Sequence, residues 1–484
     1  TVDGESSGSA QRTLLKDEFY RTFIMIAGKI PLWAVLPSNI DTKKLIYLNS
    51  PDALNGDYID TGYLSGIDRR ECLGAVLWQI YKARKDPVKA LIKSSLCGYY
   101  AFNPEPNNLV SAMVKAGFSK TLIDDYLFDP YVIVFDKIMA FYEAMADSKG
   151  LDLIRQCIYL RLLSYPLMIQ PDEDSPKGRL LSHFVSQWKP DRKRLIRLRE
   201  FDSLEEHEKI AFEDIIFDKL SFIYELILRS SDEDNSTLFM KKNDLTILKN
   251  RTAAFLQKKL TKLPRCSSSL RRKTNMVIEI SEFMGQNTWS VIDISDWALK
   301  TLKTPLFTGP EYLKSIGWVF ANHLHTSRIT PESALLTEIV TFFAHIFPRP
   351  DSVFTKAPYF EKILILLTAH EPGGSPTHAD YLLFNSWGEF FFNTLDLSGI
   401  ESIEGKWYKI KELIDKYQSK RIDLKLQHLV CQAETIQPNI IPEALKHSTC
   451  VNVKKIPEKK YDPDSTGESK KKSQQKLKPF LDKL

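Results

Sequence analysis

From about Asn55 to Leu260 apolar residues return at three- and four-residue steps with few interruptions, and that periodicity restricts the segment to packed amphipathic helices. Leu77, Ile80 and Tyr81 mark one helix. Asp86-Pro87 opens the next, because Asp caps a helix N-terminus and Pro fits the first helical position without losing a needed N–H. Leu127–Ala146, Leu151–Leu163 and Ala211–Arg229 continue the series, joined by polar loops such as Gln170–Arg179 and Ser230–Ser236. An earlier helix is expected over Leu14–Gly28, where Leu15, Phe19, Thr22 with Phe23, and Ile26 share a face and Gly28 then Pro31 close it. The apolar run Leu32–Leu36 that follows is expected to be a short buried strand.

The pattern changes at Pro264–Lys273, a basic, Ser-rich stretch read as a linker. Beyond it, strand-like Met276–Ile280 and Ser290–Ile294 alternate with helical Pro310–His323 and Pro331–His345. Ile363–Ala369 and Tyr381–Asn393 are rich in strand formers, and Ile403–Tyr417 reads as a helix. The fold class is therefore α+β and mostly helical, with a mixed α/β region in the second half. At roughly 150 residues per domain, 484 residues correspond to about three domains.

Charge and cysteine usage narrow the function classes. The net charge is +5, but residues 451–484 hold ten lysines against five acidic residues, so the first 450 residues carry equal numbers of basic and acidic side chains. A neutral body excludes a nucleic-acid-binding surface driven by overall charge, and the Lys-rich end is expected to be a solvated, disordered tail. Cys72, Cys97, Cys157, Cys266, Cys431 and Cys450 are far apart, without a Cys-x-x-Cys pair, which points to a reducing cytoplasm. Apolar runs such as Ile363–Ala369 are too short for a transmembrane span. The chain opens at Thr1 in a polar Gly/Ser-rich stretch, as a piece of a longer protein would.

Several segments, in order, carry a resemblance: LLKDEFYRTFIMIAGKIPLW (Leu14–Trp33), GAVLWQIYKARKDPVKALIKSSL (Gly74–Leu96), FDPY (Phe128–Tyr131), LDLIRQCIYLRL (Leu151–Leu162) and FVSQW (Phe184–Trp188). Together they are similar to the class I, enterobacterial-type adenylate cyclases of bacteria. Agreement is good from Ser9 to Trp188, weaker through Leu324–Pro348 and Asn385–Glu389, and diffuse to about residue 420. The resemblance implies the end of a nucleotidyltransferase-like core at 1–40, a helical part of the catalytic half at 41–268, a partial mixed α/β regulatory half at 269–450, and the tail at 451–484. It also implies conversion of ATP to cyclic AMP and pyrophosphate by in-line attack of the 3′-hydroxyl, assisted by two Mg²⁺ held on carboxylates. Its implied partners are ATP and the glucose-specific IIA protein of the phosphotransferase system, with loose attachment to the inner membrane face.

In the family the metal carboxylates follow a Gly-Ser turn on an Asp-x-Asp strand, upstream of the segment matching Leu14–Trp33. The Asp-x-Asp sequences here are Asp172/Asp174, Asp232/Asp234 and Asp462/Asp464, each in a polar stretch without that turn. The expectation is a chain that is inactive alone; the alternative is a non-enzymatic interaction protein derived from the helical body. No metal ligand is assigned.

Asp129 in FDPY is the candidate catalytic residue, although Asp before Pro is also a natural helix cap. Lys29 and Arg21 occupy the segment RTxxxxAGK and are candidate nucleotide-binding cations; an exposed ion pair to Asp17 accounts equally for Arg21, and a helix C-terminus favours Lys29. Gly8 and Ser9, with Gln11, open the first helix where free N–H groups could meet phosphate. Lys82, Lys89 and Lys93 match basic family positions and complete the candidate set, against the bland reading of a solvated helix face. Asp152 and Arg155 read as a structural ion pair, and His323-x-His325 as no metal site.

Overall fold

The computed structural model describes residues 13–22, 28–35, 58–59, 64, 66–118, 129–165, 168–231, 248, 250, 252–273, 276–282, 288–295, 304–310, 312–324, 328–331, 360–368, 377–385, 389–402, 405–406, 408–410, 412–413, 426–431 and 449–452. The helices of the first half are α1 (Thr13–Arg21), the single turn α2 (Leu32–Val35), α3 (Arg69–Ala83), α4 (Pro87–Phe102), α5 (Val110–Phe118), α6 (Pro130–Ala144), α7 (Ser148–Leu162), α8 (Pro176–Trp188), α9 (Arg192–Arg199) and α10 (Glu206–Ser231). Two short strands, β1 (Ile30–Pro31) and β2 (Tyr58–Ile59), pair in parallel.

Acidic and hydroxyl caps start these helices where the sequence places them. Asp68, Asp86, Asp129, Asp147, Ser175 and Asp191 each accept a backbone N–H of the first turn, and Pro87, Pro130 and Pro176 stand at the first helical positions. Helix α4 is buried on nearly every side and packs against α3, α6, α7 and α10, which makes it the axis of the helical body. Its Gly98 faces the Phe141 ring of α6 so closely that an added Cβ would lie 2.6 Å from it, so this crossing requires glycine. One continuous core runs from Ile67 to Ile227.

The second half holds α11 (Ser268–Arg272), β3 (Val277–Glu282), β4 (Trp289–Asp293), β5 (Phe307–Gly309), α12 (Tyr312–Ala321), β6 (Arg328–Pro331), β7 (Phe360–Thr368), β8 (His378–Asn385), β9 (Phe390–Asp396), β10 (Leu426–Cys431) and β11 (Thr449–Asn452). One sheet has the order β5-β4-β3-β6, antiparallel except for the β3–β6 pair. The other has the order β11-β10-β7-β8-β9, parallel through β7 and antiparallel beyond it. A second core gathers Leu263, Cys266, Ile278, Ile280, Trp318 and Leu382 around α12. The protein is thus mostly helical α+β.

Several expectations are corrected. Leu32–Val35 is a helical turn rather than a strand, with the extended residues lying just before it at Ile30–Pro31. A five-residue apolar run carries no period that separates the two. Gln170–Arg179 is not all loop, because Ser175 and Pro176 start α8. The stretch Pro264–Lys273 is no linker: Cys266, Ser267, Ser268 and Ser269 are buried, and α11 lies within it. Arg265 explains the burial, since it bonds Glu213 and Asp214 of α10 at 2.5 Å each. Strand β11 takes in Val451 and Asn452, so the segment expected as a tail begins as sheet. The first helix ends at Arg21, with Thr22 already in a turn, rather than running to Gly28, which adopts φ 75° just before β1; residues 23–27, all but the first residue of the helix expected over 331–345, and 453–484 lie outside the described residues.

The same stretch joins the two halves. The Ser268 N–H donates to Glu213 Oε1 at 2.6 Å, and the Cys266 N–H to Asn322 Oδ1 at 2.6 Å. Leu263 N donates to Phe390 O and Phe392 N to Thr261 O, both at 2.8 Å, which extends the second sheet by a short edge segment. Lys259 and Lys262 hold the buried Glu389 carboxylate at 2.8 and 3.4 Å.

Asp147 supplies a pH test of the helical body. Burial pushes its carboxyl up, but the Lys219 ammonium at 2.6 Å and the Gly150 N–H outweigh burial and leave it below its usual value. A depressed folded-state value contributes stability that is present above the unfolded value of about 4 and is lost as pH falls through the folded one. Lys219→Met is expected to flatten that acid loss, read as the urea midpoint between about pH 5 and 2.5.

Candidate functional site

Helix α1 is fixed by buried polar contacts. Its Leu14 N–H donates to Glu71 Oε1 of α3 at 2.9 Å, which satisfies one of the orphan donors of the helix start. Asp17, almost wholly buried, accepts from Tyr100 Oη of α4 at 2.8 Å, from the Ser111 N–H and hydroxyl of α5 at 2.9 and 2.7 Å, and from Arg21 at 3.3 Å. The Tyr100 oxygen in turn accepts the Val110 N–H at 3.1 Å. Burial first, and then the Asp17 carboxylate, push the Tyr100 phenol well above its ordinary value, so Tyr100 remains a donor at every physiological pH. Tyr20 stacks on Trp33 at 4.5 Å between ring centroids, and the Lys115 ammonium donates to Trp33 O at 2.6 Å.

The candidate residues divide by their partners. Arg21 is not in an exposed ion pair: its guanidinium is 14% exposed and Asp17 1%. Burial works against its charge, and Asp17 more than restores it. Lys93 bonds Glu18 at 2.6 Å, and despite burial this lysine, with Arg21 and Lys89, lowers the Glu18 carboxyl. Lys82 closes α3 and sits 5.2 Å from the Trp78 ring, a cation–π contact. Lys89 is exposed on the first turn of α4, where its N–H donates to Asp86. Lys29 is exposed and has no side-chain partner among the described residues. Asp129 caps α6, its Oδ1 accepting the Tyr131 N–H at 2.7 Å. Gly8, Ser9 and Gln11 lie outside the described residues.

The structure pairs Lys93 with Glu18 at 2.6 Å, and the charges of Arg21 and Lys89 also lower that carboxyl. It does not form the expected Asp152–Arg155 pair: Asp152 bonds Arg194 of α9 at 2.5 Å, while Arg155 faces Glu143 of α6 at 4.0 Å. Residues three apart on a helix can meet, but here tertiary partners reach both side chains first. Sequence reasoning missed Glu18 and saw of Asp17 only its pair with Arg21, since the other partners of both acids lie 75 to 94 residues away.

Among the described residues no group of three or more His, Cys, Asp or Glu side chains is placed to hold a metal ion. Asp172 and Asp174 stand in an exposed turn, with Asp172 Oδ1 accepting the Asp174 N–H. This donor set does not fit Mg²⁺, and the other Asp-x-Asp sequences, like His325, fall outside the described residues. Cys72, Cys97, Cys157 and Cys266 are free and buried, and burial pushes the Cys97 and Cys266 thiols up to about 12, so they offer no thiolate. Among the described residues no helix is long and apolar enough to cross a membrane.

Asp17→Ala would leave Arg21, Tyr100 and Ser111 buried without their acceptor. The expected loss is about 3–5 kcal/mol, measured by urea unfolding. An equal loss is not expected for Glu18→Ala, which breaks a half-exposed pair and should cost about 1 kcal/mol or less.

Comparison with known proteins gives two family matches. Residues 67–266 match the second domain of class-I adenylate cyclases, and residues 1–34 match the adenylate cyclase N-terminal domain. The adenylate cyclase of Proteus mirabilis is 30% identical over 261 residues, which is 52% of this chain and 30% of that protein. That of Escherichia coli K12 is 26% identical over 366 residues, 72% of this chain and 43% of the relative. That of Yersinia intermedia is 25% identical over 396 residues, 77% and 47% respectively. The chain therefore spans less than half the length of each of these relatives. No solved structure matches it.

Proposed function

The chain belongs to the class I adenylate cyclase family, and from that premise we propose that it supplies one wall of an ATP site in an enzyme that forms 3′,5′-cyclic AMP and pyrophosphate. The observation that carries this reading is the second-domain match over the capped helical body, against which α1 is locked by Asp17. In this reading residues 1–40 end a nucleotidyltransferase-like core, 41–268 form the helical part of the catalytic half, 269–450 belong to a regulatory half, and 451–484 form a tail.

Lys29, Lys89 and Lys93, with Lys82 farther along, orient and neutralise the triphosphate, and Gly8 and Ser9 offer backbone N–H groups to it. Arg21, paired with Asp17, helps hold α1 in place. Asp129 caps α6 through Oδ1 and directs its other carboxylate oxygen toward the nucleotide. When bound, Mg²⁺ would neutralise charge on the phosphates; its carboxylates come from outside the described residues. Cytoplasmic placement, loose attachment to the inner membrane face and regulation by the glucose-specific IIA protein belong to the same proposal. The second reading is a non-enzymatic interaction protein derived from the helical body.

Two measurements decide between them. The 484-residue chain is expected to make no detectable cyclic AMP from MgATP, and turnover by it would overturn the reading of its Asp-x-Asp sequences. In the complete protein of the same gene, Asp129→Asn should keep the cap within a few tenths of a kcal/mol yet lower kcat by about tenfold or more, whereas Asp129→Ala should also lose about 1 kcal/mol of stability. Unchanged kcat and KM in Asp129→Asn and in Lys29→Ala would remove both residues from the site.

A further inference from the structure

The last residue of α11 is Arg272, and its guanidinium reaches the turn between α3 and α4. Its Nε donates to Lys85 O at 2.6 Å, while Nη2 donates to the same oxygen and lies 3.3 Å from Asp86 Oδ1. That carboxylate oxygen is also the one that caps α4, accepting the Lys89 N–H at 3.0 Å. The guanidinium further lies 5.6 Å from the centre of the Tyr165 ring, just beyond the end of α7. One side chain from the junction between the halves therefore meets the end of one helix, the cap of the next and the flank of a third.

These bonds are not required to satisfy the groups they meet. Lys85 is exposed, so water can serve its carbonyl, and an Asp at an N-cap binds its own N–H without help. The Arg272 and Asp86 side chains are 26% and 23% exposed, and a pair partly open to water contributes little to global stability. What Arg272 adds is location. Its own location is fixed by the junction: Ser267 Oγ donates to Glu206 at 3.0 Å and accepts the Leu270 N–H of α11 at 3.2 Å, and Tyr165 Oη lies 3.0 Å from Ser268 Oγ. On the other side the Cys266 N–H is held at 2.6 Å by Asn322, a buried residue just past α12.

We propose that Arg272 is a positioning residue for the nucleotide site. It sets where the first turn of α4 begins, and with it the placement of Lys89 and, one turn on, Lys93 against the triphosphate. Nucleotide affinity thereby depends on how the second half is packed. The inference rests on the function proposed above for Lys89 and Lys93. An arginine suits the task because its rigid fork spans a carbonyl and a carboxylate together, which a lysine meets only as a point charge. The next residue, Lys273, pairs elsewhere, with Asp202 at 3.7 Å, and so provides a control in the same stretch.

The first measurement is amide hydrogen exchange of the full chain. R272Q is expected to speed exchange in the first turn of α4 about tenfold or more while moving the urea midpoint little, with R272K intermediate and K273Q without effect there. The second is kinetics of the complete protein of the same gene. R272Q should raise KM for ATP about fivefold or more and leave kcat within about twofold, with R272K recovering most of the loss, because Lys89 meets the triphosphate before and during reaction alike. Unchanged exchange in R272Q would overturn the proposal, and so would a fall in kcat at constant KM, the mark of a merely structural role. A KM raised by Lys89→Ala but untouched by R272Q would overturn it while leaving the nucleotide reading intact. A KM untouched by both would overturn that reading of Lys89 and the proposal with it.

Discussion

A carboxylate taken out of water must be met by donors, and Asp17 is met by four of them from α1, α4 and α5. None of these donors is supplied by a neighbour within its own turn except Arg21. The network therefore exists only when three helices separated by up to 94 residues have already packed. That makes the position of α1 a property of the core. Glu18 and Arg21 on the same helix inherit that rigidity, and through Glu18 so does Lys93.

The stretch from Lys259 to Lys273 plays the corresponding role between the halves. It presents Arg265 to two acids of α10, the Ser268 N–H to Glu213, Cys266 to Asn322, and Leu263 to the edge of β9. Arg272 completes the set by donating to Lys85 O at 2.6 Å and pairing with Asp86, the residue that caps α4. A displacement of this stretch would leave buried charges unpaired on both sides, each a costly loss. The N-terminus of α4, with Lys89 on its first turn, is thereby tied mechanically to the second half of the chain.

What the sequence makes legible follows from the range of the interaction concerned. Helix starts at Asp86-Pro87 and Asp129-Pro130 could be read because a cap and its N–H lie within three residues. Strands β3, β4 and β7 could be read from their composition. Leu32–Leu36 was misread because a short apolar run has no usable period, and Pro264–Lys273 because serines and arginines that suit a loop are equally good at satisfying a buried junction. Of the candidate site, the cations were visible and so was the Arg21–Asp17 pair, but not its burial: whether that pair faces solvent, and whether Asp152 meets Arg155 or Arg194, is decided by helix packing.

Charge balance then distinguishes structural from available groups. The first 450 residues hold as many acids as bases, so a cation without an acid partner in the body implies acids spent elsewhere rather than a surplus of bases. Lys219, Arg194, Arg265 and Arg272 have such partners and are accounted for by the fold. Lys29 and Lys89 have no ion-pair partner among the described residues. Asp129 shows the same logic from the acidic side: among the described residues its cap occupies Oδ1 only, so holding α6 in place leaves one carboxylate oxygen for a second task. A residue whose structural duty is complete with half its bonding capacity can serve chemistry without any cost to the fold, which is why capping and catalysis at Asp129 are compatible rather than competing assignments.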